Sequence, residues 1–327
     1  MKKSVIFWML FFALFTRIYP EVLTTFPDMV KPIELRMNGG YIYISDQNSI
    51  FVYDKNAFKL VKRLGKKGEG PEEFSAHPKI TFTSDRLILF DGYKIVMYLK
   101  NFKLVEEIKL RSFTDRANPI GNCFVLTNSK VVDEKEYRVF ALYNSKMEKI
   151  RDLVTEPVDQ NGFKFLLGPW SRCRNWENKI FIAQPYKGFY INVFNEQGKA
   201  LYHIEKKVKK VKSEGKHRKL FMEEILYFLG RRHFERVRAR GVYKKPMKEF
   251  LPPIKNFWVL DDRIYVKTYD ITDKKEKYVI MDLDGNILRT LFLPIVHREI
   301  LTFDKGKFYY LKEIDEDEVW ALHSINL

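Results

Sequence analysis

Residues 38–54, NGGYIYISDQNSIFVYD, decide how the rest of the sequence is read. Asn38-Gly39-Gly40 is a tight polar turn, because Asn and Gly tolerate left-handed backbone or hydrogen-bond it locally. YIYI follows, then a short polar break, then IFVYD. Short aromatic and β-branched runs bounded by turn residues are strands, and tight turns between them make antiparallel neighbours.

Working outward, the same figure recurs. Ser84-Asp85-Arg86 precedes LILF, Glu177-Asn178-Lys179 precedes IFIA, Asp261-Asp262-Arg263 precedes IYVK and Lys305-Gly306-Lys307 precedes FYYL. Asn128-Ser129-Lys130 before VVDE is a weaker copy. Each copy is followed by a second strand: after IFVYD come IVMYL at 95–99, YRVFALY at 137–143, FYINVF at 189–194, KYVIMDL at 277–283 and EVWALH at 318–323. A second turn and a further strand come next, the turns being 54–56, 99–101, 144–146, 196–198 and 284–286. Tyr53, Tyr98 and Tyr143 stand 45 residues apart at each step.

With the strand ahead of its first turn, each unit is a four-stranded antiparallel meander with apolar side chains on both faces. Such a unit cannot bury both faces alone, whereas stacking units radially into a closed ring does. The expectation is an all-β, six-bladed β-propeller of four-stranded antiparallel blades over residues 21–327, with a basic helical insertion between blades 4 and 5 at about 206–250. The sixth copy reaches Leu327 after its third strand, so another segment must supply the outer strand. VLTTF, within Glu21–Pro27, is strand-like and otherwise unassigned, and is predicted to close the ring there.

The stretch Leu64-Gly65-Lys66-Lys67-Gly68-Glu69-Gly70-Pro71-Glu72-Glu73-Phe74 resembles the G-x-G-P-x-E-F linker between the first blades of bacterial six-bladed β-propeller proteins related to NHL-type repeats. Leu251-Pro252-Pro253 through DDRIYV resembles the opening of their fifth blade. The resemblance covers about residues 30–325 and implies the fold. It implies little about function, since propellers host enzymes, receptors and scaffolds alike. As a phosphate loop the glycine-rich stretch reads poorly: Pro71, two glutamates and a strand follow it, where a helix N-terminus would be needed.

Hydrophobic residues make up 46% and aromatics 15%, enough for a large core and against disorder. Residues 1–20 differ in kind. Lys2 and Lys3 precede an unbroken apolar run of eleven residues, Val5–Phe15. As a helix that run spans roughly 16 Å, about half a bilayer core. A signal peptide or an uncleaved N-terminal anchor fits, placing the protein outside the cytoplasm: periplasmic, extracellular or membrane-anchored. Cys123 and Cys173 read as two buried thiols or, in an oxidising compartment, as a disulfide.

The net charge is +16, and residues 206–248 hold sixteen Lys plus Arg against four Glu, so most of the excess sits in the insertion. Phe221, Ile225, Phe228, Leu229 and Val237 recur near helical spacing, so residues 217–240 are predicted to form a helix with one face packed on the propeller. Three readings stand: a solvated elaboration; an anion-binding face for an acidic protein, an acidic glycan or an anionic membrane surface; or nucleic-acid binding. The export signal and the lack of a base-stacking motif beside the charge weigh against the last. The candidate anion-binding residues are Lys206, Lys207, Lys209, Lys210, Lys212, Arg231, Arg232, Arg236, Arg238 and Arg240. In a meander ring, the fourth-to-first connections share one face, which puts the insertion and the Glu69, Glu72 and Glu73 loop together near the channel mouth.

Catalytic signals are sparse. His77 and His297 fall in fourth-to-first connections, where propeller lyases can place catalytic groups, but loop histidines are more often solvated. Glu34, Thr81, Asn122, Arg174, Lys255 and Glu299 on candidate inner strands are a set of mixed sign, unlike an oxygen-only calcium site. No cofactor and no metal are expected. The sequence points to an exported binding or scaffold propeller, with a hydrolase or lyase at the channel mouth as the alternative.

Overall fold

The computed structural model describes residues 20–114, 116–158, 172–239, 249–272, 274–296, 300–314 and 319–327. The predicted leader therefore lies outside the described residues, apart from Pro20.

The chain forms six four-stranded antiparallel sheets. Their inner strands are Pro32–Asn38, Lys79–Phe82, Arg116–Ile120, Arg172–Trp176, Asn256–Leu260 and Leu301–Asp304, for blades 1 to 6. These strands contact one another in ring order: blade 1 touches blades 2 and 6, blade 3 touches 2 and 4, and blade 4 touches 5. The apolar clusters lie at the seams. One fills each of the seams between blades 1 and 2, 2 and 3, 3 and 4, and 4 and 5. A single larger cluster spans blades 5, 6 and 1. This is a six-bladed β-propeller.

The ring closes as expected. Glu21–Phe26 pairs antiparallel with Val319–Asn326 and becomes the outer strand of blade 6. Phe26 is the fixing residue: it is buried, faces Trp320 in the register and lies 4.5 Å from the Tyr53 ring of blade 1.

The 45-residue tyrosine spacing has a geometric cause. Tyr53, Tyr98 and Tyr143 each sit at a register shift just before the third-to-fourth turn, and Phe194 and Met281 hold the same place in blades 4 and 5. In most of these turns an Asx side chain accepts backbone N–H groups across the bend: Asp54, Asn144, Asn195 and Asp282 do so. A left-handed residue then closes each turn, Phe58, Phe102, Met147, Gly198 and Gly285; in blades 2 to 5 this makes a three-residue hairpin with a bulge, and the blade 1 turn is one residue longer.

One sequence expectation fails here. Asn128-Ser129-Lys130 is no turn; it is paired with Val139, Arg138 and Tyr137 inside the strand Cys123–Val132. The first turn of blade 3 lies earlier, at Gly121-Asn122, where Gly121 has φ 53°, and the hairpin bends at Asp133-Glu134, both with positive φ. The strand's outer half, from Ser129 on, is exposed, so the polar residues in its middle mimic a turn.

The insertion also differs in detail. Lys206 is the last residue of the outer strand of blade 4, Ala200–Lys206. Val211–Lys212 then pairs with Phe250–Leu251, pinching the insertion at its root. Between them lies helix α1, Gly215–Ala239, which is interrupted at Gly230 (φ 74°, ψ 168°). The expectation of one continuous helix is thus corrected: glycine alone enters that backbone region without strain, and the helix breaks there.

Candidate functional site

The fourth-to-first face carries the basic insertion. Lys207, Lys209, Lys210 and Lys212 are exposed along its root, Lys206 is half-buried, and Lys210 lies over the Phe250 ring at 5.5 Å. Arg236 and Arg238 are exposed in the second part of α1, with Arg238 3.7 Å from Glu235. Arg231 and Arg232 belong to the same part of the helix, but their side chains lie outside the described residues, as does Arg240 altogether.

The first part of α1 is anchored. His217 is buried; its Nδ1 accepts from the Glu214 N–H at 3.0 Å, which leaves Nε2 protonated to donate to the Tyr269 carbonyl of blade 5 at 2.9 Å. The Tyr227 hydroxyl donates to the Pro32 carbonyl of blade 1 at 2.6 Å, and its ring packs near Trp320 of blade 6. Burial opposes the charge on Lys255, yet Glu224 of α1 (2.9 Å) and Glu276 (2.8 Å) outweigh it and hold its pKa above the usual lysine range. Lys267, beside Glu276 in blade 5, is pushed down by burial, and Glu276 offsets this only in part. The helix therefore lies across blades 5, 6 and 1 on this face.

The other end of the channel opens differently. A cavity of about 800 Å³ runs in from the face of the first-to-second turns, reached by residues of blades 1 to 5. Alternate inner-strand residues enter the seam clusters (Leu35, Ala117, Cys173, Phe257), so their neighbours face the channel. Arg36, Arg116, Asn118 and Arg174 line the cavity from these positions. Buried Glu34 pairs with Arg36 at 2.5 Å and Arg116 at 3.2 Å. Arg174 donates to the Phe257 carbonyl at 3.1 Å and approaches Asn256 Oδ1 at 3.4 Å. Each guanidinium is thereby held in a fixed position. Asp85, Glu177 and Glu196 stand around the mouth, in or next to turns.

Sequence reading found part of this wall. Glu34, Thr81 and Arg174 are on inner strands, as expected. Asn122 lines the cavity from a turn, not a strand. Lys255 precedes its strand and belongs to the ion cluster under α1, while Glu299 lies outside the described residues. Arg36 and Arg116 were missed, although the alternation in IELRMN and RANPI, charged or amide at every second residue, carried the signal.

The glycine-rich linker is structural. Gly70 N–H and Lys66 hold the Glu73 carboxyl below the usual carboxylate range, so the loop supplies its own anion, and Phe74 is buried in the seam of blades 1 and 2. His77 is an exposed residue bonded to the Gln47 carbonyl at 2.6 Å; His297 lies outside the described residues. Cys123 and Cys173 are both thiols, not a disulfide; Cys173 is buried, its pKa pushed up to about 12 by desolvation, while Cys123 is only half-buried. Among the described residues no three His, Cys, Asp or Glu side chains gather as a metal centre.

No protein-family model matches this chain, and no curated protein matches it. Solved structures do. BamB from Moraxella catarrhalis is similar over 88% of this chain and 71% of that one, at 11% identity and a TM-score of 0.33. The AfRom2 CNH domain is similar over 94% and 99%, at 10% identity and a TM-score of 0.44. Kluyveromyces lactis Hsv2 with its complete loop 6CD is similar over 91% and 86%, at 9% identity and a TM-score of 0.37. At such identities a likeness speaks of fold alone.

Proposed function

We propose that this protein is an exported, NHL-like propeller that acts by binding: a binding or scaffold protein for an anionic partner, a protein or a glycan. The observation that carries this reading is the exposed row Lys207, Lys209, Lys210 and Lys212 at the root of an insertion whose helix is fastened to three blades. Charges spaced along an anchored platform attract an extended anion without the entropy cost of first ordering a loop. Export rests on Lys2, Lys3 and the Val5–Phe15 run, and the NHL-like reading on the linker that seats Phe74 between the first two blades.

The test replaces the four lysines by Gln in the full chain. Binding is then measured at low and high salt to heparin, to poly-glutamate and to vesicles containing phosphatidylserine. Heparin or poly-glutamate should bind the parent protein, with affinity falling as salt rises, and the variant should bind about tenfold more weakly or worse. Equal binding by parent and variant, or no binding to either polymer at low salt, would sink the reading; binding to vesicles alone would replace it with a membrane surface.

A further inference from the structure

The geometry of the cavity points to a second, separate site: we propose that it binds a carboxylated sugar, a hexuronic acid or a short oligomer ending in one. The inference does not depend on the lysine surface, which leaves the ring on the opposite face.

Deep in the cavity the lining is rich in donors. Arg36, Arg116 and Arg174 reach it from three different blades. Against these three guanidiniums stands, among the described residues, one neighbouring carboxylate, Glu34, which Arg36 and Arg116 share, so this end of the cavity keeps an excess of positive charge that attracts a carboxylate. Between them Asn118 is 3% exposed, and its Nδ2 has no hydrogen-bond partner among the described residues. A buried amide N–H left so is costly, and its terminal torsion is soft enough to turn toward an arriving oxygen. The outer part of the cavity has the reverse character. Asp85, Glu177 and Glu196 stand there with the side-chain amides of Asn38 and Asn122. The carboxylates and amide oxygens accept hydrogen bonds from hydroxyls, and the three carboxylates repel further negative charge. Trp176 adds a flat apolar face, and its Nε1–H is fixed to Asp262 at 2.8 Å, so the ring is held in place. One carboxylate to sit inside, several hydroxyls to meet the mouth and a CH face for the indole describe a uronic acid. A multiply charged phosphate would meet repulsion at the entrance. A volume of about 800 Å³ suits a ligand of one or two sugar rings.

The experiment is calorimetric titration of the full chain with glucuronate and galacturonate, against glucose, acetate and inorganic phosphate. Two variants accompany it. Asn118→Asp keeps the shape and adds a negative charge to the wall between the arginines, which repels a ligand carboxylate; Trp176→Ala removes the platform at the half-buried mouth. Thermal unfolding checks that each variant is folded. The proposal expects a uronate to bind, glucose, acetate and phosphate to bind at least about tenfold more weakly, and either variant to lose about tenfold or more. The four-lysine variant should bind the uronate as the parent does, which separates this site from the lysine surface. Failure of both uronates to bind would overturn the proposal. So would equal binding of glucose, acetate or phosphate, or unchanged affinity in a folded variant.

Discussion

His323 lies in the third strand of blade 6 with its ring stacked on Tyr310, the centroids 4.9 Å apart at 10°. Neither ring nitrogen has a hydrogen-bond partner among the described residues. Burial and, less strongly, Lys312 hold its pKa below that of an ordinary histidine. The unfolded chain protonates this residue near pH 6.5 while the folded chain resists, so stability is full above that value and falls as pH drops through the folded pKa. His323→Phe keeps the stacking and removes the titration. Its urea midpoint should exceed that of the parent by more at pH 5 than at pH 7.5; a gap that stays constant or narrows would contradict the assignment. At the same scale, the left-handed turn positions explain why some residues were legible and others not. Gly198 and Gly285 stand out as turn glycines, and a Cβ there would meet Leu153 at 2.7 Å and Ile204 at 2.5 Å. Phe58, Phe102 and Met147 occupy the equivalent places in blades 1 to 3, where the side chain itself fills the seam with the preceding blade. Nothing local marks a phenylalanine as left-handed; only the neighbouring blade does.

Among the elements, the strands were the easiest to read, because each blade repeats the same sequence of turn, run, break and run. The exception, Cys123–Val132, shows the limit: a hairpin arm that projects into solvent carries polar residues in its middle and so imitates a turn. Helix α1 was legible as a helix, but its break at Gly230 and its partners were not, since Tyr227 and Glu224 are anchored by groups far away in sequence. Those anchors give α1 a defined attachment. Replacing Glu224 and Tyr227 together by Ala should speed amide exchange in the part of α1 before Gly230 by about tenfold or more, with the inner strands unchanged, since local opening is governed by local contacts. Exchange that stays slow would mean that His217 and the apolar contacts suffice. The same double variant leaves Lys255 with Glu276 as its carboxylate partner in blade 5.

Over the whole molecule, the ring separates two surfaces. One carries α1 and the lysines; the other opens into the arginine-lined cavity. That division was partly visible in the sequence, where the charge of 206–248 stood out, but the cavity was not: it exists only because inner strands from five blades converge. Both surfaces depend on closure by the strand Glu21–Phe26, since opening the seam of blades 6 and 1 would move Pro32, the α1 anchor, and Arg36 together. Hydrogen exchange followed by mass spectrometry on the full chain tests this most directly. If the ring is closed as described, peptides covering 21–26 and 319–326 are protected together, to a degree like that of the other outer strands. Exchange of 21–26 at the rate of an unstructured segment, with the blades still protected, would contradict it.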